Sequence, residues 1–166
     1  MTDFKTDLEY SLEVRESEFI DLFYMRVFPL LDRIEIVTDL DRQKLGIDKV
    51  LWFANGDKVT IDEKRRRTDW GDVLLELWSN YERRTWGWLF TMHSDYIVYI
   101  VVPSKTVLLL PVLLLRCAWK CNGKRWRKIY PIKDAYNPGY KTRNIFIPTQ
   151  ILLDAISKQL VLDFGL

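Results

Sequence analysis

Cysteine and histidine are scarce in this 166-residue chain, with two of the first and one of the second. Cys117 and Cys121 stand four residues apart and no second pair accompanies them, which excludes a four-thiolate zinc site. Their spacing on a helix suits a disulfide poorly, so reduced thiols are expected. His93 alone excludes a multi-histidine metal centre, and it reads as a surface or turn residue rather than a catalyst. Long apolar runs are missing as well. The greasiest stretch, residues 96–115, is broken by Pro103-Ser104-Lys105 and by Pro111, so neither piece reaches the ~20 residues of a membrane span. The N-terminus is acidic and has no apolar core of a secretory signal. No repeat, low-complexity tract or linker is visible. A cytoplasmic protein with no membrane partner is expected, folded as a single domain over residues 1–166.

Charge and aromatic residues are what the chain does have. The net charge of +2 hides an asymmetry. Residues 1–48 carry 12 acids and 6 bases, whereas residues 49–166 carry 11 acids and 19 bases. A basic face for a polyanion, with acids gathered elsewhere, is one reading, and two solvated surfaces of opposite sign is the other. Seven tryptophans imply an aromatic-rich core or binding surface, and Trp52, Trp70, Trp78, Trp86, Trp88 and Trp119 read more readily as packing residues than as base-stacking platforms. Trp86-Gly87-Trp88 is the pair best suited to base stacking, because Arg83 and Arg84 precede it.

Periodicity lays out the elements. Ile20, Phe23, Tyr24 and Val27 form one apolar stripe of a helix that Pro29 ends. Residues 39–46 read as a polar connection. Residues 47–53 and 58–66 read as strands joined by the hairpin signal Asn55-Gly56, and residues 74–78 as a third strand or a short helix. Residues 81–93 look irregular. A second hairpin is predicted over 96–110, then a helix over 112–121, a basic loop, a turn at Asn137-Pro138-Gly139, a short strand over 144–147 and a final helix over 149–160. The class is α/β or α+β.

The chemistry concentrates on the first hairpin. Alternate side chains of a strand share a face, so Thr60, Asp62, Lys64 and Arg66 point one way and Val59, Ile61, Glu63 and Arg65 the other. Asp62 then stands beside Lys64, with Asp48 arriving from the neighbouring strand. Two carboxylates suit a hard divalent cation, which lowers the pKa of a bound water and acts as a Lewis acid on a phosphodiester. An adjacent lysine supplies a mobile positive charge for the water and the phosphate. A bulge in the strand would turn Glu63 rather than Asp62 toward the site. The competing reading is a charged hairpin held by cross-strand ion pairs.

In its order of helix, Asp-bearing strand, turn and Asp-x-Lys strand, the stretch from about residue 10 to 80 resembles the PD-(D/E)XK nuclease superfamily. The resemblance implies a restriction-endonuclease-like fold, a mixed central sheet flanked by helices with an αβββ…αβ core. It implies metal-dependent hydrolysis of DNA with Mg2+ or Mn2+ as cofactor. Asp48 would be the first acid of the motif, Asp62 the second and Lys64 the lysine, with the backbone carbonyl of Glu63 on the metal. Many members add a glutamate from the first helix, and Glu16 holds that place here. The motif departs from the commoner pattern in two respects: Ile47 precedes Asp48 where proline is usual, and Asp62 stands where glutamate is commoner. A homodimer on duplex DNA, and a phage or mobile-element origin, follow from the same analogy.

Cations elsewhere fit a nucleic-acid partner. Arg65 and Arg66 prolong the Asp-x-Lys strand, and Lys120, Lys124, Arg125, Arg127 and Lys128 surround Trp126. Such clusters neutralise a phosphate backbone without reading sequence. Glu76 reads more readily as a salt-bridge partner than as a site carboxylate. A binding module that never cleaves, or a protein-interaction module, is the alternative to a nuclease.

Overall fold

The computed structural model describes residues 18–160, and these form a mixed sheet flanked by helices together with a second, smaller sheet. Helix α1 covers residues 18–27. It is followed by β1 (Leu31–Ile36), α2 (Leu40–Lys44), β2 (Lys49–Phe53), β3 (Lys58–Arg66), β4 (Asp72–Asn80), β5 (Thr85–Trp86) and α3 (Trp88–Thr91). The chain continues through β6 (Tyr96–Val101), β7 (Thr106–Pro111), α4 (Val112–Ile129), β8 (Ile132–Asn137), β9 (Tyr140–Pro148) and α5 (Thr149–Ser157), and the last element among the described residues is a 3-10 turn, Lys158–Leu160.

The first sheet has the order β1-β2-β3-β6-β7. Its neighbours are antiparallel except β3 and β6, which run parallel. Parallel neighbours need a crossover, and β4, β5 and α3 supply it. Pairing from Lys49↔Ile61 to Trp52↔Lys58 and from Ile61↔Tyr96 to Arg66↔Val101 runs without interruption. No bulge therefore rotates β3, and Asp62 and Lys64 keep one face while Glu63 keeps the other.

The two faces bury different things. On one, Ile61 packs with Ile20 and Tyr24 of α1 and with Leu51, Val98 and Ile100. The predicted stripe is met at Ile20, Phe23 and Tyr24, but Val27 is exposed and Phe28 joins the packing instead. On the other face, Ile97 and Tyr99, cross-strand neighbours of Asp62 and Lys64, enter a larger core with Val73, Leu75, Ile145, Ile147 and the inner sides of α4 and α5. The backbone N–H of Leu74 donates to the Tyr99 hydroxyl at 3.1 Å, which seats β4 against this face.

Several expectations need correction. Residues 74–78 lie in β4, but β4 belongs to the second sheet, of order β5-β4-β9-β8, not to the central one. The third strand of the central meander is β1, whose polar, edge-strand sequence hid it. Helix α2 occupies the stretch read as a polar connection, with Asp39 Oδ1 accepting from the Arg42 N–H as its N-cap. The predicted basic loop is helix: α4 runs on to Ile129. Gly123 does not break it, because the Trp119 ring packs where a side chain would project, 2.8 Å from an added Cβ. Residues 81–93 hold β5 and α3. No helix among the described residues is long and apolar enough to cross a membrane. Cys117 and Cys121 are unpaired.

Candidate active site

Asp48 immediately precedes β2, and its backbone N–H donates to Ile61 O at 2.8 Å. This bond fixes the carboxyl over β3, where Oδ2 accepts the Glu63 N–H at 2.8 Å. In a strand the N–H and C=O of one residue point to the same side. The Glu63 carbonyl therefore faces the Asp48 side too, beyond the last β2–β3 ladder pair.

Asp62 is 1% exposed. Lys64 Nζ donates to its Oδ1 at 2.8 Å and lies equally close to Oδ2, yet Oδ2 has no partner in hydrogen-bonding geometry. Burial raises the Asp62 pKa above the ordinary aspartate value; Lys64 opposes the rise and the Asp48 carboxyl adds to it. Two carboxyls so placed either hold a proton or gather positive charge. Gly46, in the left-handed region at φ +71°, closes over the pair. A Cβ there would stand 2.9 Å from the Met92 Cβ and 3.5 Å from Asp62 Oδ1. Lys64, whose side chain is 31% exposed, and half-buried Asp48 stand at the opening.

Two groups that sequence reasoning placed elsewhere complete the surroundings. Glu76 of β4 forms no salt bridge among the described residues; it accepts the Trp88 N–H at 3.1 Å. Burial raises its pKa, against the pull of that N–H and of Lys64. Trp88 sets its ring 6.0 Å from Lys64 Nζ, within cation–π range. The site is thus a corner, with β3 as floor and β4 and α3 as wall.

Glu63 belongs to the opposite face. It pairs with Lys49 Nζ at 2.8 Å and accepts the Tyr24 hydroxyl at 2.7 Å. Burial works to raise its pKa, but Lys49 and Tyr24 outweigh it and hold the carboxyl below the usual glutamate value. Tyr24 in turn is pushed far up by burial and by the Glu63 charge. This network fastens α1 to the sheet, so the Glu63 side chain is structural and only its backbone is available to the site.

The remaining candidates divide. Glu16 lies outside the described residues. Arg66 shares the Asp62 face but is committed, 3.1 Å from Asp72 Oδ1 and 5.0 Å from the Trp70 ring centre. Arg65 is partly exposed on the Glu63 side, 3.5 Å from Glu63 Oε2. Lys120, Lys124, Arg125, Arg127 and Lys128 are exposed along α4, a helix without a single acid. Trp70, read as a packing residue, is 64% exposed.

Among the described residues, no group of three or more His, Cys, Asp or Glu is placed to hold a metal ion. Asp48, Asp62 and the Glu63 carbonyl nevertheless fit a hard cation that keeps waters and substrate oxygens in its shell. The observation behind that fit is the buried Asp62 carboxyl with the Asp48 carboxyl close enough to raise its pKa. No protein family, characterised protein or solved structure matches this chain.

Proposed function

We propose that the chain is a metal-dependent nuclease of the restriction-endonuclease-like type, cutting phosphodiester bonds in DNA at the Asp48–Asp62–Lys64 corner. One observation carries the reading: an acid entering β2 and an Asp-x-Lys on unbulged β3 converge, and the second acid is 1% exposed with the Lys64 ammonium 2.8 Å from its carboxyl. The order α1, β1, β2, β3 with β6 parallel to β3 supports it, since it accords with the αβββ…αβ core of the resembled superfamily. The crossover departs from that core, being built from β4, β5 and the four-residue α3 rather than from a long helix.

Asp48, Asp62 and the Glu63 carbonyl would hold Mg2+ or Mn2+, which supplies Lewis acidity and a water of lowered pKa when bound. The chain's own residues prepare the rest. The Glu63 N–H fixes the Asp48 carboxyl, and Gly46 and Met92 shut bulk water away from Asp62. Lys64 bridges the buried carboxyl and the opening, where its ammonium can meet a phosphoryl oxygen as negative charge grows there. Glu76 and the Trp88 ring keep the ammonium near the corner.

The test is cleavage of single-stranded, duplex and branched DNA with Mg2+ or Mn2+, comparing wild type with Asp62→Asn and Lys64→Met. Metal-dependent cutting lost in both variants is expected. Loss of one transition-state contact of this kind lowers the rate about 10²- to 10³-fold. Cutting retained in both, or absent from wild type under all metals, refutes the reading.

A further inference from the structure

A second pocket adjoins the corner. Its volume is about 280 Å3 and it lies between the end of β3, the turn carrying Trp70, and the β8–β9 hairpin. Trp70 and Phe146 form its aromatic surfaces, with Lys133, Arg66 and Asn144 between them. Arg66 Cζ lies 5.0 Å from the Trp70 ring centre and 5.3 Å from that of Phe146, and Lys133 Nζ lies 5.9 and 5.8 Å from the same two rings.

Its components differ in how far they are already engaged. Arg66 is paired with Asp72. Lys133 is exposed, and among the described residues no carboxylate lies within ion-pair distance of it. Trp70 is 64% exposed, a large apolar area for a fold to leave in water. The turn that presents it is held firmly: Gly71 takes φ +68°, its N–H donates to Asp69 Oδ1 at 3.0 Å, and its carbonyl accepts from Thr149 N at 2.9 Å. Asn144 is 5% exposed and spends one donor on Thr142 Oγ1 at 3.3 Å, out of two donors and an acceptor oxygen.

The pocket neighbours the candidate active site along β3. Arg66 follows Lys64 by two residues on the same face of β3, a step of about 6.7 Å. Asn144 is the cross-strand partner of Glu76, whose carboxyl is near enough to feel the Lys64 charge. The step along β3 is comparable with that between successive phosphates of an extended strand.

We propose that this pocket is a base-binding subsite that takes one unstacked nucleobase of single-stranded nucleic acid, next to the phosphate held at Lys64. The inference deepens the nuclease reading and rests on it for the position of that phosphate. Trp70 supplies the stacking plane, Lys133 the cation for the base's own phosphate, and the Asn144 amide a polar edge. A base inside a duplex is stacked on both faces and cannot offer one to Trp70, so the subsite selects single strands or opened ends.

The experiment is fluorescence anisotropy of labelled oligo(dT) and of a duplex of equal length. It uses the full-length Asp62→Asn protein so that cleavage does not intervene, alone and combined with Trp70→Ala, Trp70→Phe or Lys133→Gln. The single strand is expected to bind more tightly than the duplex. Trp70→Ala should weaken single-strand binding about 5- to 150-fold, the range for losing one base–aromatic stack, and Trp70→Phe should restore most of it. Equal affinity for both DNAs, an effect of Trp70→Ala under twofold, or no measurable single-strand binding overturns the proposal. Wild-type cleavage assays separate the two ideas. Cutting with Trp70-independent binding removes the subsite alone. Trp70-dependent binding without cutting keeps the subsite and removes the nuclease.

Discussion

Asp62 and Glu63 are chain neighbours in opposite environments, and replacing each by its amide should move stability in opposite directions. Glu63→Gln removes the charge opposite Lys49, whose side chain is 11% exposed, and leaves that ammonium, among the described carboxylates, with the more distant Asp21 at 3.7 Å. Breaking a buried pair in this way costs about 3–5 kcal/mol. At about 2–4 °C per kcal/mol for a chain of this size, Tm should fall by roughly 10 °C. Asp62→Asn instead removes a carboxylate that burial disfavours, while Lys64 keeps access to solvent. Relieving a strained functional group commonly gains about 0.5–2 kcal/mol, so Tm should rise by a few degrees. The pH dependences separate the two further. The Glu63 pKa is lowered by folding, so its contribution is present above the ordinary value of 4.5 and lost as pH falls through the lower folded value. The Asp62 pKa is raised, so the wild type loses stability as pH climbs from the ordinary 3.8 through the higher folded value. The advantage of Asp62→Asn should therefore vanish at low pH and grow as pH rises. Thermal melts of both variants from pH 3 to 8 measure this. A fall in Tm for Asp62→Asn comparable with that for Glu63→Gln would refute the reasoning, because Asp62–Lys64 would then be an ordinary structural ion pair.

Two further outcomes follow from the geometry. Gly46→Ala places a methyl group 2.9 Å from the Met92 Cβ at a φ of +71°, and should destabilise by about 1–3 kcal/mol and slow cleavage by displacing the cover of Asp62; a melt and a rate measurement check both. The exposed cations of α4 should act on phosphates without regard to sequence, so Lys124→Gln with Lys128→Gln should reduce the salt slope of single-strand binding by about 1.4, and an unchanged slope would assign that face to solvation.

What the sequence made legible depended on how local the signal was. Strand β3 and its turn declared themselves through strict alternation and the Asn55-Gly56 pair, and the side-by-side placement of Asp62 and Lys64 followed directly. Strands β1 and β8 stayed hidden because edge strands carry polar residues on both faces. The second sheet was invisible for another reason: β4 pairs with β9, some seventy residues away, and nothing in residues 72–80 names that partner. The structural duty of Glu63 was equally illegible, since it depends on α1 bringing Tyr24 across the sheet. The basic cluster was found by composition, but its helical form required knowing that Trp119 covers Gly123.

The pairing of β4 with β9 also sets an order of events. Every strand of the central sheet lies before residue 112, whereas β4, threaded through the middle of that stretch, pairs at once with β5 but meets β9 only after α4 and β8 have been made. Non-local pairing of this kind is slow and comes late in folding. Glu76 of the corner's wall and Asn144 of the neighbouring pocket face each other only once that step is complete. A ribosome-bound or truncated chain thus carries Asp48, Asp62, Lys64 and Glu76 before β9 exists, and Asn144 comes to stand opposite Glu76 only when synthesis has passed β9.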